Sequence, residues 1–144
     1  MTVFLDTAVL MYAAGSDHRL KRPCATILTS VAEGSLNAVI SAEVIQEIAH
    51  RFMHVRQPGS AIQLITYALE LFAPVAPVGQ PVVARLPGLI SRYRELQARD
   101  LIHVATCLEE RIEVIVSPDR AFDAVAELRR IDPTDGAAVT ELHA

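Results

Sequence analysis

Short apolar runs alternate along the chain with longer stretches in which apolar residues recur every three or four positions. The clearest runs are 3–5, 38–40 and 114–116, and each predicts a strand that is buried on both faces. The longer stretches predict helices, because apolar residues at that spacing fall on one helical face. Strands that alternate with helices in this way indicate an α/β fold with a parallel sheet between layers of helix.

Several of the predicted helices begin or end at residues that favour helix ends. Pro23 opens a helix that Gly34 stops, and Ser41 is the expected N-cap of a helix that runs to about His54. Further helices are predicted at 7–14, from Ser60, at 99–110 and at 121–128, and in two pieces across 81–96 with an interruption at Pro87 and Gly88.

The remaining segments are short. Residues 75–78 predict an edge strand, because proline is tolerated at a sheet edge and not in a central strand. Ile131 is predicted to start a last strand. The tail after Pro133 is predicted to be poorly ordered.

Composition narrows the class of protein. The 144 residues fit one domain, 1–144, and the 51% hydrophobic content without an apolar run of about 20 residues predicts a soluble protein with no membrane span. Asp6 interrupts the apolar start and no basic region precedes it, so no signal peptide is expected and the predicted location is the cytoplasm. Cys24 and Cys107 form no CxxC pair and are predicted to be reduced, packed thiols.

Four acidic residues are predicted to meet at one edge of the sheet. Asp6 and Asp119 follow strands, at the edge where ligands bind in open parallel sheets. Glu47 and Asp100 lie near the beginnings of helices, and a helix that follows a parallel strand begins at that same edge. Four such carboxylates repel one another and raise one another's pKa unless a cation lies among them. Mg²⁺ or Mn²⁺ prefers oxygen ligands, so the pattern predicts metal-dependent phosphodiester hydrolysis.

Other polar residues near these acids allow either a structural or a functional interpretation. Glu43 is more simply a first-turn residue favoured by the helix dipole than a ligand. His50 and His54 follow Glu47 by three and seven positions on the same helical face, which is compatible with a transition-metal site. Such a site in a helical bundle would need a second Glu-x-x-His, and none exists, so exposed or RNA-contacting histidines are favoured. His103 lies one turn after Asp100 and could face either the acids or the core.

The formal net charge of −4 argues against a broad positive surface, so any polyanion must be held locally. Arg22 and Arg51 are the basic candidates for contacts with RNA phosphates, together with Arg19, Lys21 and Arg56. All of them could equally be ordinary surface charges.

Four segments in order resemble the PIN-domain ribonuclease family, particularly its VapC-type toxins. They are FLDTAVL at 4–10, the segment from Ser41 to Glu47, DLIHVAT at 100–106 and VSPDRAFD at 116–123. The resemblance implies a three-layer α/β/α sandwich with a parallel sheet of about five strands. It also implies a Mg²⁺- or Mn²⁺-dependent endoribonuclease that acts as the toxin of a type II toxin–antitoxin pair.

The resemblance assigns roles to particular residues. Asp6, Glu47, Asp100 and Asp119 match the family's catalytic, metal-binding acids. Ser117 matches a hydroxyl that supports the site, and Asp123 is a candidate fifth acid. Ala8 departs from the family's pattern, because many relatives carry a polar residue there. The family further implies a homodimer and a VapB-like antitoxin, and apolar residues such as Met11 and Tyr12 could form either interface.

Other functions fit the sequence less well. A haloacid-dehalogenase-like phosphatase needs a second aspartate where Ala8 stands, and a phospho-receiver domain needs a late lysine, whereas Lys21 is the only lysine. The stronger alternative is a catalytically inactive PIN-like protein that binds RNA or a partner.

Overall fold

The computed structural model describes all residues, 1–144. Its centre is a parallel sheet of four strands in the order β2-β1-β3-β4. The strands are β1 (Val3–Leu5), β2 (Ala38–Val39), β3 (Val114–Val116) and β4 (Arg129–Ile131). Every residue of β1 and β3 is buried, which is why these two central strands are unbroken apolar runs.

The fold class is confirmed as an α/β sandwich with helices flanking the sheet, but the strand count of about five is wrong. The segment 75–78 contributes a single parallel bridge, between Ala76 and Ser41, and no strand. Ala76 makes both bonds to the neighbouring strand, through its N–H to Ile40 and its carbonyl to the Ala42 N–H. Towards the amino terminus the next residue facing that strand is Pro74, which carries no N–H group, and towards the carboxyl terminus the paired segment enters a helix at Ala42.

Eight α-helices complete the fold. They are α1 (Thr7–Ala14), α2 (Lys21–Ala32), α3 (Ala42–His54), α4 (Pro58–Leu71), α5 (Gln80–Val83), α6 (Leu86–Arg92), α7 (Ala98–Glu109) and α8 (Gly136–Glu141). Ser41 caps α3 as predicted, because its side-chain oxygen accepts a hydrogen bond from the Val44 N–H at 3.3 Å.

Two predicted helical segments differ in detail. The break within 81–96 falls between α5 and α6, ahead of Pro87, because proline in the first turn of α6 removes no helical hydrogen bond. The helix predicted at 121–128 is only the 3₁₀ helix Arg120–Ala124. The last strand ends at Ile131 and does not begin there.

The tail after Pro133 was predicted to be poorly ordered, and this prediction is wrong. Asp135 caps α8 by accepting a hydrogen bond from the Ala138 N–H at 3.1 Å. Val139 in this helix and Leu142 directly after it are buried in the core. The Ala144 N–H also donates to the Ser35 carbonyl at 2.9 Å, so both side-chain burial and a backbone bond attach the tail to the domain.

One cluster of 34 buried residues forms the core and includes residues from β1, β3 and β4, while Ala38 and Val39 of β2 are partly buried and pack against it. Cys24 and Cys107 are free, buried thiols, as predicted. Burial raises the pKa of Cys24 to about 12, so this thiol is unreactive at neutral pH. None of the helices has both the length and the apolar character needed to cross a membrane.

Candidate active site

A cavity of about 360 Å³, here called the acidic cavity, lies at the carboxyl edge of the sheet. The ends of β1 and β3 deliver Asp6 and Asp119, while α3 and α7 deliver Glu47 and Asp100. The structure therefore brings together all four acids that the sequence singles out. The other residues lining this cavity are Ala8, Arg51, Glu95, Gln97, Arg99 and Ala121.

Asp6 is held by Ser117. The Ser117 hydroxyl donates to Asp6 Oδ2 at 2.6 Å and accepts from the backbone N–H of Asp119 at 3.0 Å. Burial raises the pKa of Asp6, and the nearby charge of Glu47 adds to the effect, against the lowering influence of His103 and the Ser117 hydrogen bond. Ser117 thus joins the two acids that follow neighbouring strands.

Glu47 is buried and faces several cationic or potentially cationic groups. Its Oε1 lies 2.7 Å from His103 Nε2, and its Oε2 lies 3.7 Å from Arg51 Nη2 and 4.0 Å from Arg99 Nε. Burial alone would raise the pKa of Glu47, but the His103 hydrogen bond and the neighbouring positive charges outweigh it and lower the pKa. Glu47 is therefore a carboxylate at neutral pH.

His103 faces the acids from inside the protein, which decides between the two orientations that the sequence left open. Its ring is fully buried, and Nε2 also lies 3.6 Å from Asp6 Oδ1 and 3.5 Å from Thr7 Oγ1. Because a carboxylate can only accept, Nε2 carries the proton in the bond to Glu47. Burial would lower the pKa of His103, but the hydrogen bond to Glu47 and the surrounding acids raise it.

Asp100 and Asp119 are the more open acids. Burial raises the pKa of Asp100 to about 6, and the charges of Asp6, Asp119 and Glu47 contribute to the rise, while His103 opposes it. Asp119 is exposed, and its Oδ1 accepts a hydrogen bond from the Ala121 N–H at 2.9 Å. The repulsion that the sequence predicts for four acids without a cation therefore contributes to the raised pKa of Asp100, after the larger effect of burial.

The donor set fits a hard divalent cation, because it consists of carboxylate oxygens. In the present arrangement, however, no three His, Cys, Asp or Glu side chains are close enough together to hold one ion. Glu47 is turned towards His103, and Asp6 is bonded to Ser117. Binding an ion would therefore require some of these carboxylates to turn towards one another.

Asp123, the candidate fifth acid, is not in the acidic cavity. It is exposed and receives hydrogen bonds from Arg130 at 2.8 and 3.3 Å, which lower the pKa of its carboxyl group. Arg130 also donates to the backbone oxygen of Ser117 at 2.9 Å. Arg130, which the sequence pattern does not single out, therefore links Asp123 to the backbone of Ser117.

The other candidates are dispersed. Arg51 lines the acidic cavity, whereas Arg22 is exposed on α2 and does not. His50 lines a neighbouring groove with Glu43, whose pKa is raised chiefly by burial. Arg99 is not among the predicted site residues, although its position beside Asp100 was a usable signal.

Comparisons with known proteins agree with this architecture. Residues 3–128 match the PIN domain. Ribonuclease VapC23 of Mycobacterium tuberculosis is 36% identical over 83% of this chain and 94% of its own length.

Two solved structures share the fold. The VapBC2 structure from Rickettsia felis, bound to a DNA fragment from its promoter, matches with a TM-score of 0.72 and 14% identity, over 92% of this chain and 98% of that chain. A toxin–antitoxin complex from Klebsiella pneumoniae matches with a TM-score of 0.65 and 19% identity, over 91% of this chain and 97% of that chain. With its acids gathered at the carboxyl edge of a parallel sheet, the chain belongs to the PIN domain family.

Proposed function

We propose that this protein is a Mg²⁺- or Mn²⁺-dependent endoribonuclease that hydrolyses RNA phosphodiester bonds. The observation that carries the proposal is the convergence of Asp6, Glu47, Asp100 and Asp119 on one cavity in a chain of the PIN domain family. The name of the VapC23 relative, a ribonuclease, supports RNA as the substrate.

Asp6, Asp100, Asp119 and Glu47 would hold the metal. When bound, the ion would supply an activated water and stabilise the negative charge that develops on the phosphate. The Ser117 hydroxyl would orient Asp6, whereas Glu47 would have to turn from His103 towards the ion. Arg51 and Arg99 line the same cavity and would contact phosphates of the RNA next to the cut.

The protein would act as the toxin of a type II toxin–antitoxin pair. The Klebsiella pneumoniae structure is a toxin–antitoxin complex, and this likeness supports a VapB-like antitoxin as partner. A cytoplasmic location and a homodimer are part of the same proposal. Expression of the wild type in a bacterial host should then arrest growth, expression of Asp6→Asn should not, and co-expression of the antitoxin should restore growth.

Cleavage of labelled RNA in the presence of MgCl₂, MnCl₂ or EDTA tests the enzymatic proposal directly. We expect cleavage with either metal, none with EDTA, and at least a 100-fold loss in Asp6→Asn. Glu33→Gln, an exposed acid at the end of α2, is the matched control and should cut like the wild type. Cleavage that survives EDTA or Asp6→Asn would contradict the proposal.

The alternative is a PIN-like protein that binds RNA or a partner without cutting. The bond between Glu47 and His103 gives it some support, because that bond turns one acid away from the others. RNA binding without cleavage under either metal would favour this alternative.

A further inference from the structure

A second cavity, of about 590 Å³, adjoins the acidic cavity and is here called the side cavity. The two cavities share Ala8, Arg51 and Asp119. A strand of RNA with its phosphate at the acids would therefore have its neighbouring nucleotide at the side cavity. The C-terminal end of α1 and the loop between α1 and α2 form the rest of its wall.

Two stacked rings line the side cavity. Tyr12 and His18, here called the aromatic pair, have ring centroids 4.7 Å apart and planes inclined by 29°. His18 is exposed, and Tyr12 is partly buried against the core. The pair thus contributes an exposed aromatic ring, that of His18, to the wall of the cavity.

The loop holds the aromatic pair in place before any ligand binds. His18 Nδ1 accepts a hydrogen bond from the Leu20 N–H at 3.1 Å, which fixes the orientation of the ring. The Lys21 N–H donates to the His18 carbonyl at 3.0 Å, and the Lys21 ammonium group donates to the Gly15 carbonyl. A ring that is already ordered loses little conformational entropy when a base stacks on it.

The chemistry of this wall matches a nucleobase and its phosphate. Proteins that bind single-stranded RNA stack its bases on aromatic side chains, and each stacked base contributes about 1–3 kcal/mol. Arg19 and Arg51 lie in the same wall and can contact phosphate oxygens. With a net charge of −4, the chain has no general attraction for a polyanion. Stacking of a base would therefore help to hold the RNA at this cavity.

We propose that the side cavity is a nucleobase subsite, in which a base of single-stranded RNA stacks on His18 of the aromatic pair while Arg51 contacts the phosphate next to it. This inference rests on the proposed function in one respect, which is that RNA is the ligand. It assigns a binding role to residues outside the four acids.

The test combines protein variants with abasic RNA. Asp6→Asn provides a non-cutting background in which the Kd of a fluorescein-labelled, mixed-sequence 12-nucleotide RNA is measured by fluorescence anisotropy. The same strand is then prepared with abasic nucleotides throughout its centre. His18→Ala, His18→Phe and the exposed control His143→Ala are added to the background.

We expect His18→Ala to weaken binding of the normal RNA by about 5-fold or more, the lower end of the stacking range. It should leave binding of the abasic strand within 2-fold, because no base remains to be stacked. His18→Phe, which keeps an aromatic face, should retain most of the affinity, and His143→Ala should have no effect.

An equal effect of His18→Ala on both strands would overturn the subsite, and so would no effect on either strand. Failure of the Asp6→Asn background to bind the RNA would also overturn it. If the wild type binds RNA through His18 but cuts no RNA, the nuclease proposal is refuted and the nucleobase subsite stands. Melting curves of the variants separate loss of binding from loss of folding.

Discussion

Nε2 of His103 lies 2.7 Å from Oε1 of Glu47, and both side chains are almost completely buried. The bond joins α7 to α3, and the two bonded residues are 56 positions apart in the chain. It keeps an ionised carboxylate satisfied inside the protein and turns it towards the core. Its formation therefore stabilises the fold and sets where Glu47 lies relative to the other acids.

His103→Leu should be strongly destabilising. The substitution removes the closest partner of the buried Glu47 carboxylate and leaves two arginines farther away, and removal of one partner from a buried charged pair costs about 3–5 kcal/mol. Urea unfolding at pH 7.5 gives the free energy of unfolding for comparison with the exposed control His143→Leu, which should change it little.

The coupling can be separated from the loss of packing with a double-mutant cycle. Because Glu47→Leu removes the carboxylate that His103→Leu would strand, the double variant should be more stable than the sum of the two single losses by at least about 1.5 kcal/mol. Strict additivity would show that the two side chains do not act as a pair.

Asp100→Asn should stabilise the metal-free protein at neutral pH. The folded-state pKa of about 6 lies above the ordinary value of 3.8, so the folded protein binds more protons between these values and loses stability as the pH rises through that window. The full penalty is present above about pH 6 and absent below about pH 4. Asparagine carries no charge, so the Asp100→Asn variant does not have this penalty.

Because Asp100 is partly exposed, solvent screening reduces the penalty to about 1 kcal/mol, or about 3 °C in Tm. Melting curves in EDTA at pH 7.5 and pH 4 should show this gain at the higher pH only. The exposed control Asp17→Asn should show none. A large loss of stability in Asp100→Asn at pH 7.5 would instead identify a structural cap.

Ser117→Ala should weaken metal binding without unfolding the protein. The hydroxyl holds Asp6 and the backbone of Asp119 at once, and loss of a residue that orients ligands typically costs 10–100-fold in metal affinity. Titration calorimetry with MnCl₂ should therefore show at least a 10-fold weaker Kd. Ser30→Ala, which removes another buried hydroxyl far from the acids, should leave the Kd unchanged.

Asp123→Asn should leave the Mn²⁺ affinity within about 2-fold of the wild type, whereas Asp119→Asn should lower it at least 10-fold. The reason is that the Asp123 carboxylate faces Arg130 and lies outside the acidic cavity. The same calorimetric titration compares the two variants. An equal loss in both would return Asp123 to the set of metal ligands.

The sequence predicts which acids meet, because their positions follow from the direction of the strands. Asp6 ends β1, and the helix with Asp100 starts at the same edge, so parallel topology alone brings them together. No periodicity could reveal the bond between His103 and Glu47, since it depends on how α7 packs against α3. Arg130 was missed for the same reason, because its contacts with Ser117 and Asp123 exist only in the folded sheet.

Local rules failed where tertiary contacts or missing donors decide the outcome. A strand is predicted at 75–78, but Pro74 on one side and the start of α3 on the other limit the pairing to one bridge. The tail is predicted to be poorly ordered, yet it forms α8, and Val139 in this helix and Leu142 directly after it are buried. In both cases the deciding factor is a small number of specific groups and not the average character of the segment.

Leu142→Ala should show that the tail is an integral part of the fold. The side chain is only 4% exposed and belongs to the main core, so its truncation should lower the free energy of unfolding by about 2–4 kcal/mol. Glu141→Ala, at an exposed neighbouring position, should change it by less than about 0.5 kcal/mol. Urea unfolding of both variants makes the comparison. If Leu142→Ala were as mild as its neighbour, α8 would be attached too weakly to stabilise the domain.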